Sequence, residues 1–113
     1  MFITEVESPQ LVSKMEEDDE LVIIDVREMH EISRGTIQGA IAMPMASIPV
    51  RLNEIPKDKE VVFICRSGAR SGQVCMFLGQ HGYENVINLR GGMIGWVRSG
   101  FEPVLPEPAS STY

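Results

Sequence analysis

Residues 63–72 read Phe-Ile-Cys-Arg-Ser-Gly-Ala-Arg-Ser-Gly, a thiol at the end of an apolar run followed at once by arginines, serines and glycines. Core packing calls for no such mixture. Between Glu60 and Glu84 the formally charged side chains are Arg66 and Arg70 alone. The reactive form of cysteine is the thiolate, and positive surroundings favour it. An unperturbed cysteine titrates near about 8.5, so a fall of about two units, at roughly 1.4 kcal/mol each, makes the thiolate the major form at neutral pH. Gly68 lets the chain curl so that successive N–H groups point inward as an anion-binding nest. Ser71 is placed to cap a helix beginning there, whose free N–H groups and partial positive charge act in the same direction. Cys65 is therefore the candidate nucleophile, and Arg66, Ser67, Gly68, Ala69, Arg70 and Ser71 form the candidate anion-binding loop.

Two chemistries suit a cysteine in such a nest. One is phosphoryl transfer through a Cys-x5-Arg loop. Here the sixth residue after Cys65 is Ser71, and the arginine comes one place early at Arg70. The loop is thus one residue shorter than that of a cysteine-based phosphatase, and a smaller cradle suits a sulfur atom better than a tetrahedral phosphate. A phosphatase or arsenate reductase is accordingly disfavoured.

The elements that must position the loop follow from punctuation and periodicity. Leu21–Val26 and Val61–Ile64 are nearly continuous apolar runs, the pattern of strands buried on both faces. Val86–Leu89 reads the same way more weakly, with Ile3–Val6 and Ala40–Ala42 as shorter strands. Ser8-Pro9 is a helix start with Ser8 as N-cap. The acidic run Glu16–Glu20 ends that helix as a solvated turn. Further helices are expected over Glu28–Arg34, Ser47–Asn53, Ser71–Gln80 and Met93–Arg98. In the third of these, Val74, Phe77, Leu78 and His81 share one face. Alternating strands and helices argue for an α/β fold with a small, mostly parallel central sheet. Ligands of such sheets sit at the carboxyl ends of the strands, where Cys65 falls. Asp25 and Arg27 fall at another such end, either orienting the loop or forming an ion pair that fixes the next helix. Ion pairing is the reading favoured for them, because buried charges are usually paired.

Composition bounds the rest. The chain has 113 residues and a formal charge of −6, which gives no electrostatic reason to bind nucleic acid or an anionic membrane. The N-terminus has no basic and apolar leader pattern, and no stretch approaches the roughly 18 apolar residues of a membrane span. Cys65 and Cys75 make no disulfide framework, so a reducing cytoplasm is the default location. With the cysteines ten apart and His30 and His81 poorly spaced, no metal site is expected. Cys75 reads as a small buried residue on the helix flank, with a resolving thiol as the alternative. His30 and His81 read as surface or capping residues and Trp96 as core. The methionines read as core fillers, unless Met29, Met43, Met45 and Met93 line a pocket mouth. Gly91-Gly92 reads as a turn that no Cβ would fit. Residues 1–104 read as one domain and 105–113 as a flexible C-terminal tail.

Several blocks, in order, are similar to one family. They are Ile-Ile-Asp-Val-Arg-Glu at 23–28, Gly-Thr-Ile-Gln-Gly-Ala-Ile-Ala-Met-Pro at 35–44, Cys-Arg-Ser-Gly-Ala-Arg-Ser at 65–71, and Gly-Tyr-Glu-Asn-Val-Ile-Asn-Leu-Arg-Gly-Gly at 82–92 with Trp96, Gly100 and Pro103. Together they resemble the single-domain rhodaneses, thiosulfate sulfurtransferase-like proteins. Thr36 stands where that family commonly has histidine, in a block expected to be structural. The resemblance implies a rhodanese-like domain with helices on both faces of its sheet. It also implies a sulfurtransferase that moves sulfur from a small anion such as thiosulfate through a Cys65 persulfide. The acceptor would be cyanide or a thiol, protein thiols included, and no cofactor is required. The alternative is a persulfide carrier with low turnover on small molecules.

Overall fold

The computed structural model describes residues 2–107. Three apolar runs set its centre. β4 (Val61–Ile64) and β5 (Val86–Leu89) are buried at every position, and β2 (Val22–Asp25) at all but its first. Strands buried on both faces require cover on both sides, and the helices supply it. β1 (Thr4–Val6) and β3 (Ile41–Ala42) complete a five-stranded sheet of order β1-β5-β4-β2-β3 in which every pairing is parallel. One antiparallel bridge, Thr36 to Val104, lies outside it.

Side chains alternate across β4. Val61, Phe63 and Cys65 face α3 (Ala69–Gln80), packing with Val74, Cys75 and Leu78, and with Ile48 and Ile55 from the connection before β4. Val62 and Ile64 face the other way, against Leu11 of α1 (Ser8–Glu17) and Met93 and Trp96 of α4 (Gly92–Arg98). Trp96 is core as expected, its indole N–H donating to the Glu102 carbonyl. Of the expected helical face, Val74 and Leu78 are buried and Phe77 half-buried. His81 is exposed and bonds the Phe77 carbonyl through Nδ1.

Several boundaries differ from the sequence reading. Glu7, not Ser8, caps α1, because its N–H donates to the Gln10 side chain at 2.8 Å. That helix runs on through Glu16 and Glu17, leaving Asp18–Glu20 as the turn. The segment Glu28–Arg34 contains only α2 (Met29–Ile32), which ends just before Gly35. Ser47–Asn53 is not an α-helix. It is two 3₁₀ stretches, Met45–Val50 and Leu52–Glu54, because Pro49 lies within it and offers no N–H. Helix α3 begins at Ala69 rather than Ser71, with Gly68 as its cap. Of the expected tail, Leu105–Glu107 lie beside Thr36 and Ile37 along one cavity, and residues 108–113 lie outside the described ones. Met43 and Met93 are buried, whereas Met29 is exposed.

The turn entering α4 leaves no room for a side chain. A Cβ on Gly92 would lie 2.5 Å from the Cys65 carbonyl oxygen and 2.6 Å from that of Arg66, at a φ of +56°. By contrast a Cβ on Gly79, in α3, meets nothing within 4 Å. Gly92→Ala is therefore expected to destabilise the chain by on the order of 3 kcal/mol, and Gly79→Ala to stabilise it by about 0.5–1 kcal/mol. Urea midpoints of the two variants check this. Equal midpoints would show that the turn relaxes around a methyl group.

Candidate active site

Cys65 follows the last residue of β4 and is 1% exposed. The backbone of its loop is held from below. The carbonyls of Cys65 and Arg66 accept hydrogen bonds from the N–H groups of Met93 (2.9 Å) and Ile94 (3.0 Å), in the first turn of α4. With these carbonyls turned toward α4, loop N–H groups are free to face the sulfur. Gly68, at φ +100°, reverses the chain into α3 and passes close to the other turn, where a Cβ would lie 3.2 Å from the Gly91 nitrogen.

The sulfur receives what the loop offers. The Gly68 N–H donates to Cys65 Sγ at 3.1 Å, and the Ser71 hydroxyl lies 3.3 Å from it. Burial pushes the Cys65 thiol up. The Ser71 hydroxyl and the N–H groups of Ser71, Gly68 and Ser67 more than offset this, leaving it below its ordinary value. Ser71 thus acts on the sulfur from inside the first turn of α3 and does not cap the helix. The Ser67 side chain forms part of the turn, its Oγ accepting the Ala69 N–H at 3.4 Å.

Arg70 departs from its sequence reading. Its guanidinium is held in a bidentate pair with Glu31, at 2.8 and 2.9 Å. The carboxylate missing from the neighbouring sequence comes from α2, 39 positions away. Burial costs Arg70 less than this partner returns, so its pKa is raised, and Arg70 holds the Glu31 carboxyl down to about 2. Arg66 is exposed and has no carboxylate partner among the described residues. It lines a groove of about 710 Å³ with His30, Arg34, Met93, Val97 and Arg98.

Asp25 and Arg27 form the ion pair. Asp25 is fully buried, and its carboxylate accepts from the Arg27 backbone N–H (3.1 Å), Nε (3.0 Å) and Nη2 (2.8 Å). Thr36 Oγ1 completes it at 2.7 Å, and Arg27 Nη2 also donates to the Gly35 carbonyl at 2.6 Å. The Thr36 block is thereby tied to the end of β2, and the Thr36 hydroxyl reaches Asp25 rather than Cys65.

Cys75 is buried on α3, and burial pushes its thiol up to about 12. It and Cys65 are both free thiols. Among the described residues, no three His, Cys, Asp or Glu side chains converge as a metal ion would need, and no helix is long and apolar enough to cross a membrane. Two residues of the site escaped the sequence reading. Glu31 gave no local signal. Asn88 gave one: it is the polar member of the buried strand Val-Ile-Asn-Leu, and its side chain accepts from the Ser71 hydroxyl.

The family model for the rhodanese-like domain matches residues 8–99. A sulfurtransferase of Allochromatium vinosum is 46% identical over 106 residues, covering 94% of this chain and 99% of the relative. A thiosulfate sulfurtransferase of Glaesserella parasuis is 33% identical over 81% of this chain and 85% of its own. The crystal structure of a rhodanese-related protein from Thermoplasma volcanium matches with a TM-score of 0.83 at 27% identity, covering 91% of this chain and 99% of that one.

The Glu31–Arg70 pair has a pH signature. The folded-state pKa of Glu31 is lowered to about 2 from 4.5, so the unfolded chain binds its proton first as pH falls. The stabilisation is complete above about pH 4.5 and is lost on the way down to about 2. Partial exposure screens the pair, so Glu31→Gln is expected to cost about 1 kcal/mol at neutral pH and much less at about pH 3. Urea unfolding at both pH values checks this. A cost undiminished at the lower pH would mean the pair contributes through packing and not charge.

Proposed function

This chain belongs to the rhodanese-like domain family, and on that footing we propose that it is a sulfurtransferase carrying sulfane sulfur on Cys65. The unit that does this is residues 1–104, with 105–113 as an appended tail. The Cys65 thiolate attacks the outer sulfur of a small anion such as thiosulfate. The S–S bond of the donor breaks, sulfite leaves with the electron pair, and Cys65 becomes a persulfide. A thiol or cyanide then attacks the outer sulfur, and the Cys65 thiolate is released. This is covalent catalysis in two half-reactions.

The observation that carries the reading is the sulfur's own hydrogen bonding. Gly68 N–H donates to Cys65 Sγ, and the Ser71 hydroxyl lies within hydrogen-bond reach of it, at the carboxyl end of a central parallel strand. They favour negative charge on that sulfur, as attack requires. Cys65 is buried, so a compact donor suits it better than a bulky one. The added sulfur projects one atom further out, where an acceptor reaches it. Exposed Arg66 is the cation that faces an incoming anion. Arg70, neutralised by Glu31, serves to fix the loop. The short Cys-x4-Arg loop and an arginine already held by a carboxylate both count against phosphate as the ligand.

Intact mass after incubation with thiosulfate tests this on wild type, Cys65→Ser and Cys75→Ser. One sulfur atom should add to wild type and to Cys75→Ser, and none to Cys65→Ser. Absence of added sulfur on reduced wild type would exclude thiosulfate as the donor. Addition to Cys65→Ser would move the carrier elsewhere.

A further inference from the structure

The Ser71 hydroxyl has one proton and two acceptors. Its Oγ lies 3.3 Å from Cys65 Sγ and 2.5 Å from Asn88 Oδ1, and a hydroxyl donates only one hydrogen bond. The orientation of the Asn88 amide is fixed by its other partners. Asn88 Nδ2 lies 2.8 Å from Glu5 Oε2 and 3.1 Å from the Gly68 carbonyl oxygen, both of which accept. The NH₂ end must face them, so the carbonyl end must face Ser71. Asn88 sits in the middle of β5, 2% exposed, paired in register with Glu5 of β1 and Phe63 of β4. Its amide is thus held between an exposed carboxylate and the reactive loop.

We propose that Asn88 is a positioning residue for Cys65: it competes with Cys65 Sγ for the single hydroxyl proton of Ser71. In the thiol form the hydroxyl points at Asn88. When the sulfur becomes negative, a hydrogen bond to charge is the stronger one, and the hydroxyl turns to Sγ. The Asn88 carbonyl is then left buried without its donor, which opposes ionisation. Asn88 therefore makes the thiolate less stable than the loop alone would. That serves the chemistry, because thiolate nucleophilicity falls as its pKa falls. The Glu5 carboxylate polarises the amide and strengthens Oδ1 as an acceptor. The inference rests on Cys65 as the nucleophile of the proposed sulfur transfer.

Other charged and titratable groups surround the sulfur. They are Asp25 with Arg27 from β2, Glu31 from α2 with Arg70 from α3, Cys75 on α3, Arg66 in the loop, Arg90 after β5, and Glu5 itself. Any of them could shift the titration of Cys65 through space, but none except Glu5 touches Asn88. A double-mutant cycle through Ser71 therefore isolates the competition.

The test is the pH dependence of Cys65 alkylation by iodoacetamide, followed by mass of the Cys65 peptide. Ser71→Ala should raise the midpoint. Asn88→Ala should lower it by about half a unit, roughly threefold more thiolate below the midpoint. In the Ser71→Ala background, Asn88→Ala should have no effect. Asn88→Ala will overturn the proposal if it leaves the midpoint unchanged or raises it, or if its shift persists without the Ser71 hydroxyl. Should Asn88→Ala fail to fold, Glu5→Gln is read the same way. The part of its shift carried by the amide vanishes in Ser71→Ala, whereas a shift as large there as in wild type acts wholly through space and overturns the role. The titration reads Cys65 whether or not thiosulfate loads it. Failure of sulfur transfer therefore shows in the mass experiment, and failure of this inference in the titration.

Discussion

Two backbone carbonyls decide the shape of the reactive loop. The first N–H groups of any helix lack partners within it, and α4 gives two of its own to the carbonyls of Cys65 and Arg66. A loop with those carbonyls drawn away presents its N–H groups on the other side, where the sulfur is. The geometry demands that two turns lie almost in contact. Gly92 meets the carbonyls of Cys65 and Arg66, and Gly68 meets the backbone of Gly91 and Leu89. Glycines far apart in sequence thus answer to one constraint, and a side chain at either place would separate loop from helix.

The same design explains where the charge is. Two of the arginines around the site are neutralised in place, while Arg66 has no carboxylate partner among the described residues. Arg27 is bound to buried Asp25, and Arg70 to Glu31. Each pair also joins elements, Asp25 tying β2 to the Thr36 connection and Glu31 tying α2 to α3. What favours a thiolate most is short-range. The strongest effects lowering the Cys65 pKa come from a hydroxyl and backbone N–H groups of its own loop, and the Arg70 guanidinium also interacts with the sulfur through space. Arg70 positions the loop through Glu31, and hydrogen bonds act most strongly on the sulfur.

That division sets how much could be read from sequence. The apolar runs at 61–64 and 86–89 required a sheet covered on both faces, and the end of the first placed Cys65 at a strand's carboxyl end. The glycine pair 91–92 announced the turn, in which Gly92 has no room for a Cβ while one at Gly91 would lie 3.5 Å from Gly95. Local patterns of this kind depend on neighbours in the chain. The partner of Arg70 does not, and nothing near residue 70 points to residue 31. Ser71 misled for a related reason. A serine just after a glycine-bearing loop and before an apolar helical stripe fits a cap by local rules, but the fold brings Cys65 and Asn88 to its hydroxyl. Pro49 was visible, and its missing N–H is what turns the expected helix over 47–53 into 3₁₀ turns.

The two thiols show which factor governs reactivity here. Cys65 and Cys75 are each 1% exposed and pack in the same core beside α3. Burial alone disfavours the charged form of both. At Cys75 nothing opposes it, and the negative charge of Glu5 adds to it, so the thiol is pushed up to about 12. At Cys65 the same burial is overcome by donors from residues 67, 68 and 71. Burial therefore does not make a cysteine inert. It raises the weight of every hydrogen bond the sulfur receives, and only a loop whose carbonyls are held elsewhere can turn its N–H groups to that use.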